Sequence, residues 1–144
     1  MLLGAHEHSI DDKNRLTLPA RFRESFAGGI VVKRGIERCL DAYRREDWVR
    51  LVESRLAPLD PLSKETRRLQ RFYFAHATES NLDKQGRVMI PAPLLELAGI
   101  SKDVVVVGMR NHIEIWDRET WRNELAEVEG SAEDVAERLA AKND

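Results

Sequence analysis

One pattern occurs twice in this chain. Residues 11–24 read DDKNRLTLPARFRE and residues 83–96 read DKQGRVMIPAPLLE, an offset of 72. Asp11, Arg15, Pro19, Ala20 and Glu24 thus recur as Asp83, Arg87, Pro91, Ala92 and Glu96. After one inserted residue the match continues at an offset of 73. Val31, Val32 and Gly35 correspond to Val104, Val105 and Gly108, and LDAYRREDW (40–48) corresponds to IEIWDRETW (113–121). Two unrelated hairpins converge easily on alternating polarity, but not readily on Asp-x-x-x-Arg-x-x-x-Pro-Ala in register. The chain reads as a tandem duplication of one supersecondary unit. A unit of about 45 residues buries too little apolar surface to stand alone. The two copies are therefore expected to share a core, with their short strands interleaved.

Each copy has the same local grammar. Residues 6–10 and 78–82 read as short strands, followed by polar loops at 11–15 and 83–87. Asn14 and Gly86 occupy the same place in those loops, and both types tolerate positive φ, so the position calls for left-handed backbone. A short strand follows (16–18 or 88–90), and Pro19 or Pro91 is expected at the first position of a helix. Gly28-Gly29 and Gly99 stop those helices. Hairpins are expected from 30–33 with 40–43 and from 104–107 with 112–116, turning near Gly35 and Gly108. A helix anchored by Trp48 or Trp121 closes each copy. Asp117 is a good N-cap for the second of these, and Arg44 is a poor one for the first.

Between the copies Pro58 and Pro61 mark a break, and Ser63 is placed to cap a helix over 64–75. Lys64, Arg67, Arg68 and Arg71 share one face of it, with Leu62, Leu69, Phe72 and Tyr73 as apolar contacts. That basic face is either a second binding surface, a solvated one, or a partner for acidic residues of a neighbouring chain. Ala132, Val135, Ala136 and Leu139 form a weak amphipathic stripe near the C-terminus.

The net charge of −2 argues against a nucleic-acid binder until its distribution is considered. Residues 1–75 carry 15 Lys and Arg against 11 Asp and Glu, whereas residues 76–144 carry 8 against 14. Any DNA contact is then expected from a local basic surface, chiefly in the first half. The longest apolar run, 104–107, is too short to span a bilayer, and nothing resembles a secretory signal. Cys39 is alone, so no intramolecular disulfide or cysteine zinc cluster is expected, and the chain reads as cytosolic. His6 and His8 share a strand face, but no third metal ligand is near in sequence. His112 aligns with Cys39, a structural position. No catalytic triad, phosphate loop or carboxylate pair stands out, so no enzyme, cofactor or small-molecule substrate is expected. Trp48, Trp116 and Trp121 read as core anchors.

The candidate site is the repeated loop. Arg15, and Arg87 after it, present a planar guanidinium suited to guanine or phosphate. Asp11 and Asp83, four residues earlier, either brace the loop or orient that group. Asn14, Lys13 and Lys84 lie in the same loops, and Arg21 and Arg23 project from the first helix in different directions. The plainer reading is an Asp–Arg pair that only staples a turn.

These residues resemble the MraZ family, whose chains carry two AbrB-like swapped-hairpin modules. The resemblance rests on Asp11…Arg15 and Asp83…Arg87, each followed by a short apolar strand and a Pro-Ala step, and covers roughly residues 1–125. It implies an α+β fold of tandem AbrB-like swapped-hairpin β modules in pseudo-twofold arrangement with flanking helices. Module 1 would span 5–47, a helical connector 48–75, module 2 76–119, and a C-terminal helix with acidic tail 120–144. It also implies a cytoplasmic, nucleoid-associated regulator that binds double-stranded DNA at promoter direct repeats, represses its own division and cell-wall cluster, and assembles into a homo-oligomeric ring. Arg15, Lys13, Asn14, Arg87, Lys84, Arg21 and Arg23 would contact DNA. The family commonly has Gly where Asn14 stands, and Pro93, Leu94 and Leu95 replace Arg21, Phe22 and Arg23 in the second copy. Two rivals are an antitoxin-type DNA-binding subunit and a ring scaffold without DNA affinity.

Overall fold

The computed structural model describes residues 1–142. The first repeat supplies β1 (Ala5–Ser9), β2 (Arg15–Thr17), α1 (Ala20–Arg23), β3 (Ile30–Arg34), β4 (Leu40–Arg44) and α2 (Arg45–Leu51). After α3 (Lys64–Phe74), the second supplies β5 (Thr78–Ser80), β6 (Arg87–Met89), α4 (Ala92–Leu97), β7 (Asp103–Gly108), β8 (His112–Asp117) and α5 (Arg118–Lys142). Both hairpins form at their expected places, β3 with β4 and β7 with β8.

The two repeats exchange strands. β1 pairs antiparallel with β7, and β5 pairs with β3, so each leading strand completes the other repeat's hairpin. The six-stranded sheet runs β1-β7-β8-β4-β3-β5, an order unchanged when each strand is swapped for its repeat equivalent. A pseudo-twofold axis therefore passes between β4 and β8. The register locates it at Asp41 opposite Glu114, which are repeat equivalents, with Leu40–Ile115 and Ala42–Ile113 disposed symmetrically around them. A two-stranded ribbon, β2 with β6, obeys the same symmetry. Leu16 faces Val88 on the axis, flanked by Arg15–Met89 and Thr17–Arg87. This is an α+β fold of two tandem swapped-hairpin modules.

Strand alternation sends the two sheet faces to different environments. Ile30, Val32, Leu40, Ala42, Val104, Val106, Ile113 and Ile115 point toward the ribbon and pack with Leu16, Leu18, Phe22, Phe26, Val88, Ile90 and Leu94 in one shared core. The other face carries Lys33, Asp41, Tyr43, Glu114 and Trp116 and is covered by helices. Tyr43 meets Trp48 of α2, Lys33 Nζ lies 4.6 Å from the centre of the Tyr73 ring of α3, and Trp116 meets Trp121 of α5.

Several local expectations are corrected. Pro19 and Pro91 are N-cap residues with extended ψ, not the first residues of their helices, because the chain leaves a strand immediately before them. α1 is one turn long and continues as a 3₁₀ turn, Glu24–Phe26. α2 runs on through a π-helical turn, Val52–Leu56. Ser63 caps α3, accepting from Thr66 N at 3.4 Å, but Leu62 is 85% exposed. Of the three tryptophans only Trp116 is buried. Asp117 caps α5 by accepting from Glu119 N at 3.2 Å. The stripe of Ala132, Val135, Ala136 and Leu139 lies on one unbroken helix to Lys142, with no buried residue along its length. Residues 143 and 144 of the expected 120–144 segment lie outside the described residues.

Strand exchange makes the repeats interdependent. A fragment of residues 1–75 is expected to show no cooperative unfolding transition by circular dichroism, because β1 and β3 both lose a ladder partner. Mixing it with residues 76–144 is expected to restore one. A sharp transition in the isolated fragment would contradict the shared core.

Candidate nucleic-acid interface

The two loops have one geometry. Asp11 Oδ1 accepts hydrogen bonds from Lys13 N at 2.9 Å and Arg15 N at 2.8 Å, and Oδ2 accepts from Arg15 Nε at 2.8 Å. In the second copy Asp83 Oδ1 accepts from Gln85 N and Arg87 N, both at 2.9 Å, and Oδ2 accepts from Arg87 Nε at 2.7 Å. Each aspartate closes the backbone turn with one oxygen and holds the arginine with the other. Because Nε is the atom engaged, both terminal Nη groups have no protein partner among the described residues, and these are the groups that form a fork. The arginine side chains are about a quarter exposed, at 29% and 25%.

The backbone supports this arrangement from across the axis. Asn14 has φ 60° and Gly86 φ 76°, so the shared position is left-handed in both copies. That conformation turns the carbonyl toward the other module: Asn14 O accepts from Ile90 N at 2.8 Å, and Gly86 O accepts from Leu18 N at 3.0 Å. The loops are thus fastened to each other's strands.

The ribbon brings both arginines to one surface. Leu16 and Val88 point inward and are fully buried. Arg15, Thr17, Arg87 and Met89 therefore share the outward face, where Met89 is 56% exposed. Arg15 and Arg87 are a diagonal pair on this face, roughly 7–8 Å apart by strand geometry. Lys13 and Lys84 are exposed in the adjoining loops, one position out of step because Lys13 aligns with Gln85 and Lys84 with Asp12.

Other candidates sit differently. Arg21 is exposed on α1. Arg23 turns back: its Nε donates to Leu18 O at 3.0 Å, and its stem lies against Gly86, where an added Cβ would be 2.4 Å from Arg23 Cδ. The basic residues of α3 lie on the helix-covered side of the sheet, away from the ribbon. His6 and His8 share a face of β1, and His6 packs edge-on to Phe22 at 5.2 Å. Among the described residues the group with metal-ligand spacing is Cys39, Asp41 and Glu114, at the axis on the helix-covered face. Lys33 Nζ already holds Asp41 at 3.0 Å, and burial pushes the Cys39 thiol far above its ordinary pKa. Sequence reasoning missed the shared ribbon face of Thr17 and Met89, although the period-two runs Arg-Leu-Thr and Arg-Val-Met carried the signal.

Hydrogen bonds to the charged form hold both loop carboxyls below the usual range. For Asp11 the largest cause is Arg15 N, then the Arg15 side chain and Lys13 N. For Asp83 it is Arg87 N, then the Arg87 side chain and Gln85 N. A folded-state pKa below the unfolded one gives stability present above the ordinary carboxylate pKa and lost as pH falls through the folded value. Carboxyl-carbon NMR titration is expected to find both groups titrating low. Arg15→Ala should raise Asp11 only part of the way, since the backbone donor remains, and leave Asp83 unmoved. Full recovery would mean that the side chain, not the turn, sets the shift. Asn14→Val should lower stability by about 1–2 kcal/mol in urea unfolding, whereas Asn14→Gly should not lower it.

A family model described as "MraZ protein, putative antitoxin-like" matches residues 1–72 and again 73–143. Two similar curated proteins are each named "Transcriptional regulator MraZ". The one from Roseiflexus castenholzii is 42% identical over 140 residues, and the one from Acetivibrio thermocellus is 39% identical over 140 residues. Each alignment covers 97% of this chain and 97% of the relative.

Proposed function

The chain belongs to the MraZ family, and from that premise we propose that it is a DNA-binding transcriptional regulator that reads DNA with the β2–β6 ribbon. The observation that carries this reading is the pair of aspartate-braced arginines on one exposed ribbon face. A two-stranded ribbon fits the major groove, and a guanidinium with both Nη groups free matches guanine O6 and N7. Asp11 and Asp83 act as braces, Lys13 and Lys84 contact phosphates, Asn14 shapes its loop, and Arg21 adds a backbone contact. Arg23 acts through the Gly86 loop.

One ribbon spans only neighbouring base pairs, because its arginines lie within roughly 8 Å of each other. Successive major grooves are about 34–36 Å apart, so reading repeated boxes takes successive copies of the chain. This geometry favours a homo-oligomeric ring that engages direct repeats, where each added contact is effectively intramolecular. Repression of its own division and cell-wall promoter, at the nucleoid in the cytoplasm, is part of the same proposal. Among the described residues no helix is long and apolar enough to cross a membrane. The continuous helix α5 is unlike the disordered neutralising segment an antitoxin subunit would use. The ring-scaffold reading draws on the net charge of −2.

Fluorescence anisotropy with the DNA upstream of its own gene tests the reading at two salt concentrations. Arg15→Ala and Arg87→Ala are each expected to weaken binding by about 1–3 kcal/mol, with the oligomer intact by light scattering. Unchanged binding in both variants would move the site off the ribbon. Absence of wild-type binding would favour the scaffold.

A further inference from the structure

The duplication is an internal control for any feature that only one copy has. Where β4 runs into α2, a cleft of about 510 Å³ is lined by Arg44, Arg50, Arg55 and Arg110, with Asp47 and Leu51 beside them. At the repeat offset of 73 these four arginines correspond to Asp117, Asn123, Val128 and Glu37. The β8–α5 junction of the other repeat thus forms with no basic residue at any of the four places, so the cluster is particular to this site.

Two of the arginines are held by a carboxylate. The Asp47 side chain is only 5% exposed, and its two oxygens accept from Arg44 Nε and, at 3.3 Å, from Arg50 Nη1. Glu46, mostly exposed, lies 3.8 Å from Arg44. Arg55 and Arg110 have no carboxylate partner among the described residues. Both come from irregular backbone. Arg55 rides on the π-helical turn Val52–Leu56, a distortion often found at functional sites. Arg110 has φ 70°, a conformation in which Gly or Asn is the usual occupant. It is locked there by reciprocal bonds with Leu2, at 3.0 and 2.8 Å.

We propose that this cleft binds a small polyanion of the nucleoside polyphosphate class. Four guanidinium groups stand against two carboxylates, the buried Asp47 and the exposed Glu46, leaving an excess positive charge that a di- or triphosphate neutralises. Guanidinium forks, weakly hydrated and planar, match phosphate oxygens in pairs. The volume lies within the range of small-molecule sites and exceeds what a lone phosphate fills. Met1 and Leu51 supply apolar wall for a base or sugar, and Asn111 adds an amide donor, since its Oδ1 is held by His112 Nδ1 at 2.8 Å. No lining residue belongs to the 11–15 or 83–87 loops, so this proposal stands apart from the DNA-reading one.

Isothermal titration of the full chain with ATP and with inorganic pyrophosphate tests it. Arg55→Gln and Arg110→Gly each remove a guanidinium, and glycine keeps the left-handed backbone at 110. Arg138→Gln, on exposed α5, is the charge control. The expected result is saturable ATP binding at one site per chain, weakened about tenfold or more (roughly 1.4 kcal/mol) by each cleft variant and unchanged in the control. Pyrophosphate should compete at the same site with lower affinity. No saturable ATP binding, an equal loss in the Arg138→Gln control, or pyrophosphate binding as tightly as ATP would each overturn it. If ATP fails to bind while Arg55→Gln and Arg110→Gly weaken duplex DNA binding, the cleft serves the DNA backbone and the proposal falls.

Discussion

β1 finds its ladder on β7, and β5 finds its ladder on β3, so neither repeat closes a sheet from its own residues. The rest of the molecule follows from that exchange. Because the partner of each leading strand is a copy of its own hairpin, the two pairings are symmetric, and the sheet order reads the same from either repeat. The chain leaving β1 must cross to the ribbon layer, and so must the chain leaving β5. Their continuations, β2 and β6, meet there at the axis. Leu16 and Val88 close the core from above while the hairpins close it from below. Most of these pairings are distant in sequence, which makes closure costly in chain entropy and folding slow relative to a local topology.

The loops inherit their precision from the same exchange. Each carbonyl at the left-handed position bonds to a strand of the other module, so the loop is clamped at its turn as well as at its ends. The aspartate then fixes the guanidinium through Nε before any ligand arrives. Ordering a long side chain in advance removes part of the entropy that binding would otherwise cost. Coupling follows too: the stem of Arg23 lies against Gly86, so helix α1 of one module shapes the loop of the other.

Much of this was legible in the residues. The two offsets located the modules, alternation located the hairpins, and Asn14 opposite Gly86 marked the left-handed position. Ser63 marked the start of α3. Pairing partners were not legible from local pattern, because β1 would suit its own hairpin or its copy's equally well; the small size of each unit implied interleaved strands, and the family resemblance implied swapped hairpins. The π-helical turn carries no composition signal. Leu62 and Leu69 read as apolar contacts because spacing cannot distinguish a face that packs from one that stays exposed. The stripe of Ala132, Val135, Ala136 and Leu139 read as weak, and Gly130 costs about 1 kcal/mol inside a helix, yet nothing crowds it and α5 runs through.

Symmetry constrains the core and the ribbon, and divergence is concentrated outside them. Half of the acidic excess of residues 76–144 falls on α5, which carries 7 Asp and Glu against 4 Lys and Arg and packs against Trp116 on the helix-covered face. Arg15 and Arg87 point from the opposite layer. α5 and the ribbon lie on opposite sides of the six-stranded sheet, about two layer spacings of roughly 10 Å apart, and the Debye length is about 10 Å at 0.1 M salt, so this negative charge is largely screened at the ribbon. The net charge of −2 is thus a sum over two faces that act separately, and it does not describe the field that a phosphate meets beside the loops. The same reasoning separates the ribbon from the basic cleft at α2. Each is a local excess set into an acidic chain, and in each, carboxylates orient a pair of arginines: Asp11 and Asp83 hold Arg15 and Arg87 at the ribbon, and Asp47 holds Arg44 and Arg50 in the cleft.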